Sequence, residues 1–112
     1  MSNPSRVLVV FYSQCGETEK LALAAAVRAV QTRANIRLRR LPDLTASTAE
    51  CKEETARMKK EYVAPAEADI LWAESISFHL PARMDRSAPE CARFFDLVRK
   101  LNAEDKFSIV IA

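Results

Sequence analysis

Glycine is almost missing from this chain. Gly16 is the only one in 112 residues, where average usage gives about eight. Long hydrophobic runs are missing too. No window approaches the roughly 18 apolar residues that a membrane-crossing helix needs. The apolar run after Arg6 is also too short for a secretory leader and lacks a small-residue cleavage site. A cytoplasmic location is the expectation, with no membrane partner. Charge of one sign is not in excess: the formal net charge is +2, too little to suggest nucleic acid or an anionic membrane as a partner. There is one histidine, His79, so neither a histidine metal cluster nor a histidine catalytic pair is expected. The three cysteines, Cys15, Cys51 and Cys91, are odd in number and far apart. They suggest neither a disulfide framework nor a metal site.

What is present suits one soluble domain with a modest core. Apolar residues make up 49% and charged residues 29%, as in ordinary globular proteins. The lone glycine stands in the stretch Arg6 to Thr18, the most informative in the chain. Six apolar or aromatic residues from Val7 to Tyr12 form an unbroken run, which suits a central strand covered on both faces. Polar residues follow at once, then Gly16, then an alanine- and leucine-rich helix over Glu17 to Arg33. Leu23, Val27, Val30 and Ala34 repeat at helical spacing and are expected to form its buried stripe. Glu17 and Glu19 in the first turn and Arg28 further on suit the helix dipole. A helix start offers free backbone N–H groups and a partial positive charge, so a phosphate fits there without a lysine. Gly16 would allow close approach, and the hydroxyls of Ser13 and Thr18 would add hydrogen bonds. The plainer reading is that Ser13 only caps the helix and Gly16 only turns the chain.

Further on, Ile36 to Leu41 alternates apolar residues with arginines, the pattern of an edge strand closed by Pro42. A highly charged helix is expected from Ser47 or Thr48 to about Tyr62, with few apolar anchors. A helical turn over Ala66 to Trp72 and a short strand over Ser75 to Phe78 follow. Pro89 sits in the first turn of a helix whose apolar face is Phe94, Leu97, Val98 and Leu101. Phe107 to Ile111 is the fourth strand. Strands alternating with helices imply a parallel sheet with helices on both faces.

Val7 to Ala22 resembles the first strand and FMN-phosphate loop of the flavodoxin-like superfamily. The likeness is strongest to its NAD(P)H:quinone oxidoreductase branch (the tryptophan-repressor-binding-protein and FMN reductase type). Arg39 to Asp43 is similar to that branch's turn after strand two. Phe78 to Met84 resembles its second flavin loop, which reads Phe-Gly-Thr-Pro-Thr-Arg-Phe-Gly in the family, and Asp105-Lys106 before the last strand also fits. The resemblance implies a three-layer α/β sandwich with strand order 2-1-3-4. It implies FMN as cofactor, with Ser13, Gln14, Cys15, Gly16, Glu17 and Thr18 around its phosphate and Pro81, Ala82, Arg83 and Met84 beside its ring. It further implies NAD(P)H and quinones as substrates. The family continues past strand four into a third flavin loop, a fifth strand and a final helix. Their absence here would leave strand four a bare edge and apolar sheet surface open: either the sequence is a fragment or a partner chain covers that face, and a homo-oligomer covering it is the expectation.

The departures leave two functions in view. Cys15 stands where a hydroxyl is common, His79 and Leu80 replace glycine and threonine, and Met84 and Asp85 replace phenylalanine and glycine. The chain is either an FMN-dependent oxidoreductase or a flavodoxin-like domain that has lost flavin and serves as an assembly module. Two other families of this architecture fail on single residues: a low-molecular-weight phosphatase needs an arginine where Leu21 stands, and a receiver domain needs an aspartate where His79 stands. Cys15 at a helix start can be a reactive thiol or simply a small residue in a turn. Cys51 and Cys91 read as helix-face residues. His79 reads as a strand-end residue with a local hydrogen bond, or as a ligand contact at the sheet's carboxyl edge. Arg37, Arg39 and Arg40 can attract a nucleotide phosphate or form an exposed edge face. Trp72 and Phe94-Phe95 read as packing groups.

Overall fold

The apolar run becomes the middle of the sheet. In the computed structural model, which describes residues 5–13, 15–42, 51–81 and 88–111, β1 spans Arg6–Phe11 and pairs in parallel on both sides. One neighbour is β2 (Asn35–Arg40) and the other is β3 (Ser75–Leu80). β4 (Phe107–Ile111) pairs in parallel with β3, giving the order β2-β1-β3-β4. Among the described residues four α-helices connect the strands: α1 (Glu17–Gln31), α2 (Lys52–Glu61), α3 (Glu67–Trp72) and α4 (Pro89–Lys100). This is the expected α/β fold with its expected strand order.

The two-residue period of the strands sorts the core into two layers. Leu8 and Val10 of β1 with Ile76, Phe78 and Leu80 of β3 face α3 and α4, where they meet Ile70, Cys91, Phe94 and Val98. Val9 and Phe11 point the other way, onto Ala22 of α1 and Met58 of α2. Trp72 and the phenylalanines are packing groups, as expected. The ring of Phe78 lies 5.2 Å from Phe94 and 5.5 Å from both Phe95 and Phe107, and Arg37 stacks 4.4 Å over Trp72.

One expectation fails in α1. Its buried residues are Thr18, Glu19, Ala22 and Ala26, while Leu23, Val27 and Val30 are 39%, 56% and 53% exposed. Both stripes have helical spacing, so periodicity alone does not rank them. Val9 and Phe11 already fill the space beneath the helix, and only the alanine stripe fits over them. α2 is as charged as expected and buries only Thr55 and Met58. Its proposed caps, Ser47 and Thr48, lie outside the described residues, and it begins at Lys52.

Candidate phosphate turn at the end of the first strand

Residues 12–16 carry the chain from β1 into α1. Gly16 caps the helix with φ +92°, a left-handed conformation that costs a residue with a β-carbon about 1 kcal/mol or more. A β-carbon added there would meet only Glu19 Oε1, at 3.5 Å, an ordinary contact. The position therefore demands glycine for its backbone and not for its space. Ser13 Oγ accepts the Gly16 N–H at 2.9 Å. Ser13, Gly16 and Thr18 are buried, whereas Cys15 and Glu17 are exposed. The structure thus brings Ser13, Cys15, Gly16, Glu17 and Thr18 together at one helix start. Gln14 lies outside the described residues, as do Ala82, Arg83 and Met84 of the second loop. Pro81 is half-buried just past the end of β3.

Several residues around the turn escaped the sequence pattern. Arg40 is only 3% exposed. Its Nη2 donates to the Ser13 carbonyl at 2.7 Å, and its guanidinium lies 5.5 Å over the Tyr12 ring. The reading of all three arginines as an exposed edge face is thus corrected for Arg40. Alternation along β2 held the signal: Arg40 shares a face with Ile36 and Leu38, while Arg37 and Arg39 share the other. Those two are occupied in another way. Arg37 Nη1 and Arg39 Nε each reach an Asp69 carboxylate oxygen at 3.1 Å. Burial works to raise the Asp69 carboxyl, but the Ala66 N–H and the guanidinium of Arg39 outweigh it and hold the group below its usual range.

Glu19 is the second residue missed. Of the two acids in the first turn of α1, only Glu19 is buried. Arg57 of α2 donates to both of its oxygens, at 2.5 and 3.0 Å, and the Tyr62 hydroxyl donates at 2.5 Å. The Arg57 hydrogen bonds hold the Glu19 carboxyl below its usual range against the opposing effect of burial. The Tyr62 phenol is pushed up to about 12 by burial and by its bond to that carboxylate. Arg40, Glu19 and Arg57 thus alternate in charge behind the turn and dock α2 beside α1.

The cysteine reading is corrected outright. Cys15 and Cys51 form a disulfide, their Cα atoms 5.1 Å apart and their positions separated by 36 residues. The fold carries Cys51, the residue before α2, to the turn after β1, and nothing in the spacing announces this. Cys51 itself has φ +62°. Cys91 is free and buried.

His79 takes its place at the carboxyl end of β3 as a residue with a local hydrogen bond. Its Nε2 lies 2.8 Å from Ser77 Oγ. It is 4% exposed, its Nδ1 has no partner, and desolvation lowers its pKa. Among the described residues no group of three or more histidine, cysteine or acidic side chains could hold a metal. None of their helices is long and apolar enough to cross a membrane.

A parallel sheet in the order 2-1-3-4, with a glycine turn leading from its central strand into a helix, defines the flavodoxin-like class of α/β proteins. Comparison with characterised proteins shows what the chain is similar to. The chain is 31% identical over 102 residues to an NAD(P)H dehydrogenase (quinone) of Paracoccus denitrificans (strain Pd 1222), covering 89% of this chain and 48% of the relative. It is 29% identical over 102 residues to NAD(P)H dehydrogenase (quinone) 3 of Rhizobium meliloti (strain 1021), covering 91% and 48%. No family model matches the chain. The chain spans about half the length of these relatives. Fold and relatives together fit the flavodoxin-like NAD(P)H:quinone oxidoreductase branch.

Proposed function

We propose that the chain is an FMN-binding unit of an oxidoreductase that passes electrons or hydride from NAD(P)H to a quinone-like acceptor. The observation that carries this reading is the turn itself. A left-handed glycine sits at the start of α1, next to a buried serine, with the buried positive charge of Arg40 behind it. These residues fit a phosphate group: the helix start supplies N–H donors and Arg40 offsets the acids of the first turn. Ser13, Gln14, Cys15, Gly16, Glu17 and Thr18 would hold the phosphate of FMN, and Pro81, Ala82, Arg83 and Met84 would border its ring. The flavin, when bound, supplies the redox chemistry, and the protein binds and orients it. A cytoplasmic site of action fits this reading.

The test is an FMN titration followed by flavin fluorescence, with Gly16→Val beside the unchanged protein. Saturable binding is expected, and the variant should lose it. Valine is β-branched and strongly resists φ near +90°, so the turn would have to rebuild. Binding that survives in Gly16→Val would move the site elsewhere. His79 supports a second reading, a flavin-free assembly module. It puts a buried imidazole where the resembling branch has glycine. Absence of saturable binding at high micromolar protein would favour it.

Self-association belongs to both readings. Leu23, Val27 and Val30 expose one side of α1. Beside the β4 edge, Phe95, Val98, Phe107 and Ile109 line most of an apolar depression of about 260 Å³. A stable dimer or larger assembly would cover such surface. Size-exclusion chromatography with light scattering should give a mass of at least two chains, and a monomer at micromolar concentration would remove this part of the proposal.

A further inference from the structure

The Cys15–Cys51 disulfide joins the candidate phosphate turn to the start of α2. Three observations bear on its effect there. The turn is closed on itself: Ser13 Oγ is taken by the Gly16 N–H, and Ser13, Gly16 and Thr18 are all buried. The Gly16 N–H is therefore already paired within the closed turn, and an opened turn would add it to the donors a phosphate can meet. The bridge is reachable, since Cys15 is exposed and Cys51 half-buried, whereas Cys91 is buried. Of the first four residues of α2 only Thr55 is buried. Lys52, Glu53 and Glu54 are exposed, and the hydrogen bonds from Arg57 and Tyr62 to Glu19 of α1 lie in the middle of the helix and beyond its end. Cys51 also holds a left-handed backbone that a β-carbon disfavours.

We propose that the Cys15–Cys51 bridge is a redox latch on the phosphate turn. Closed, it pins the start of α2 to Cys15 and keeps the turn self-bonded. Open, it frees the turn to take up a phosphate group more tightly. Charge acts in the same direction. The closed bridge ties Cys15 to the residue that precedes Lys52, Glu53 and Glu54 in the first turn of α2, two acids against one base. The proposal rests on the reading of this turn as a phosphate site.

The chemistry is thiol–disulfide exchange. A thiolate of an external dithiol attacks the exposed Cys15 sulfur, forming a mixed disulfide as the S–S bond breaks. Cys51 leaves as a thiolate and takes a proton. The second thiolate of the dithiol then attacks the mixed disulfide and releases Cys15, which also takes a proton. The protein gains two electrons and two protons, and the dithiol ends as its own disulfide. Glutathione disulfide runs the reverse reaction and leaves as two molecules of glutathione.

The test pairs FMN titration with thiol counting and amide hydrogen exchange, each on protein equilibrated with glutathione disulfide or with dithiothreitol. Alkylation under denaturing conditions should find one thiol in the oxidised protein and three in the reduced protein. Three thiols in both would overturn the latch. Reduction should lower the apparent Kd for FMN about fivefold or more. Cys51→Ser should match the reduced protein in either buffer. Equal affinity in both states, or tighter binding when oxidised, would overturn the proposal. Hydrogen exchange separates the latch from the flavin reading. Reduction should speed exchange at residues 15–18 and 52–56, whether or not FMN binds. If FMN binds in neither state, the flavin reading fails, and the latch then stands or falls on exchange at those residues. Unchanged exchange would overturn it.

Discussion

Arg40→Ala should lower the unfolding free energy by about 3 kcal/mol and weaken FMN binding as well. The guanidinium is 3% exposed and donates to the Ser13 carbonyl at 2.7 Å. Removing it leaves that buried carbonyl without this donor and opens space beside Tyr12. Loss of one member of a buried charged hydrogen bond costs far more than loss of a surface pair, roughly 3–5 kcal/mol against 0–1. Arg99 supplies the comparison. It pairs with Asp96 at 3.6 Å, but the side chains are 67% and 73% exposed. Arg99→Ala should move stability by less than about 0.5 kcal/mol. Urea denaturation of both variants checks the contrast. An Arg40→Ala cost no larger than that of Arg99→Ala would mean that Arg40 does not support the turn. Arg40→Lys is expected to restore little, because a lysine cannot both lie flat over Tyr12 and reach the Ser13 carbonyl through a planar fork.

The contrast among the arginines also shows where the sequence is legible. β1 declares itself central because Val7 to Phe11 is apolar at every position, and β2 declares itself an edge because it alternates. The strand order 2-1-3-4 is what the family resemblance implies; the strands' own patterns do not rank it. The same alternation places Arg40 with Ile36 and Leu38, but only if the arginine is granted an inward position. That requires knowing that the Ser13 carbonyl will be there to receive it. The stripe on α1 is harder still. Ala22 and Ala26 compete with Leu23 and Val27 for the sheet, and the bulk of Phe11 decides between them. The disulfide is harder than either. Cys15 and Cys51 lie 36 positions apart, and they meet where Glu19 draws in Arg57 and Tyr62 and Met58 packs with Phe11 and Ala22, docking α2 beside α1. Long-range contacts of this kind leave no period in the sequence. The candidate site was readable as far as local geometry defines it, at Ser13, Gly16 and Thr18, and unreadable where neighbours complete it.

Phe78→Ala should have the largest effect on stability of any substitution considered, about 4 kcal/mol. Phe78 is fully buried, and its ring meets Phe94, Phe95 and Phe107 at 5.2, 5.5 and 5.5 Å. It therefore links β3 to both α4 and β4, and alanine would leave a cavity facing three rings. A domain of this size has on the order of 10 kcal/mol in total, so the variant should remain folded but with a large part of its margin gone. Phe78→Leu, which keeps most of the volume, should cost clearly less. Leu71→Ala, at a position 60% exposed, should cost under about 0.5 kcal/mol. The consequence for the site runs through the strand. His79, Leu80 and Pro81 directly follow Phe78, and they carry the chain into the segment proposed to border the flavin ring. Loosening β3 should therefore weaken FMN binding in Phe78→Ala even at temperatures where the protein is fully folded. The turn after β1 should keep its protection from hydrogen exchange, because Phe11 and Ala22 pack on the opposite face of the sheet. Equal loss of protection at residues 15–18 and at β3 would mean that the two faces unfold as one unit, and that the turn and the second loop are not held independently.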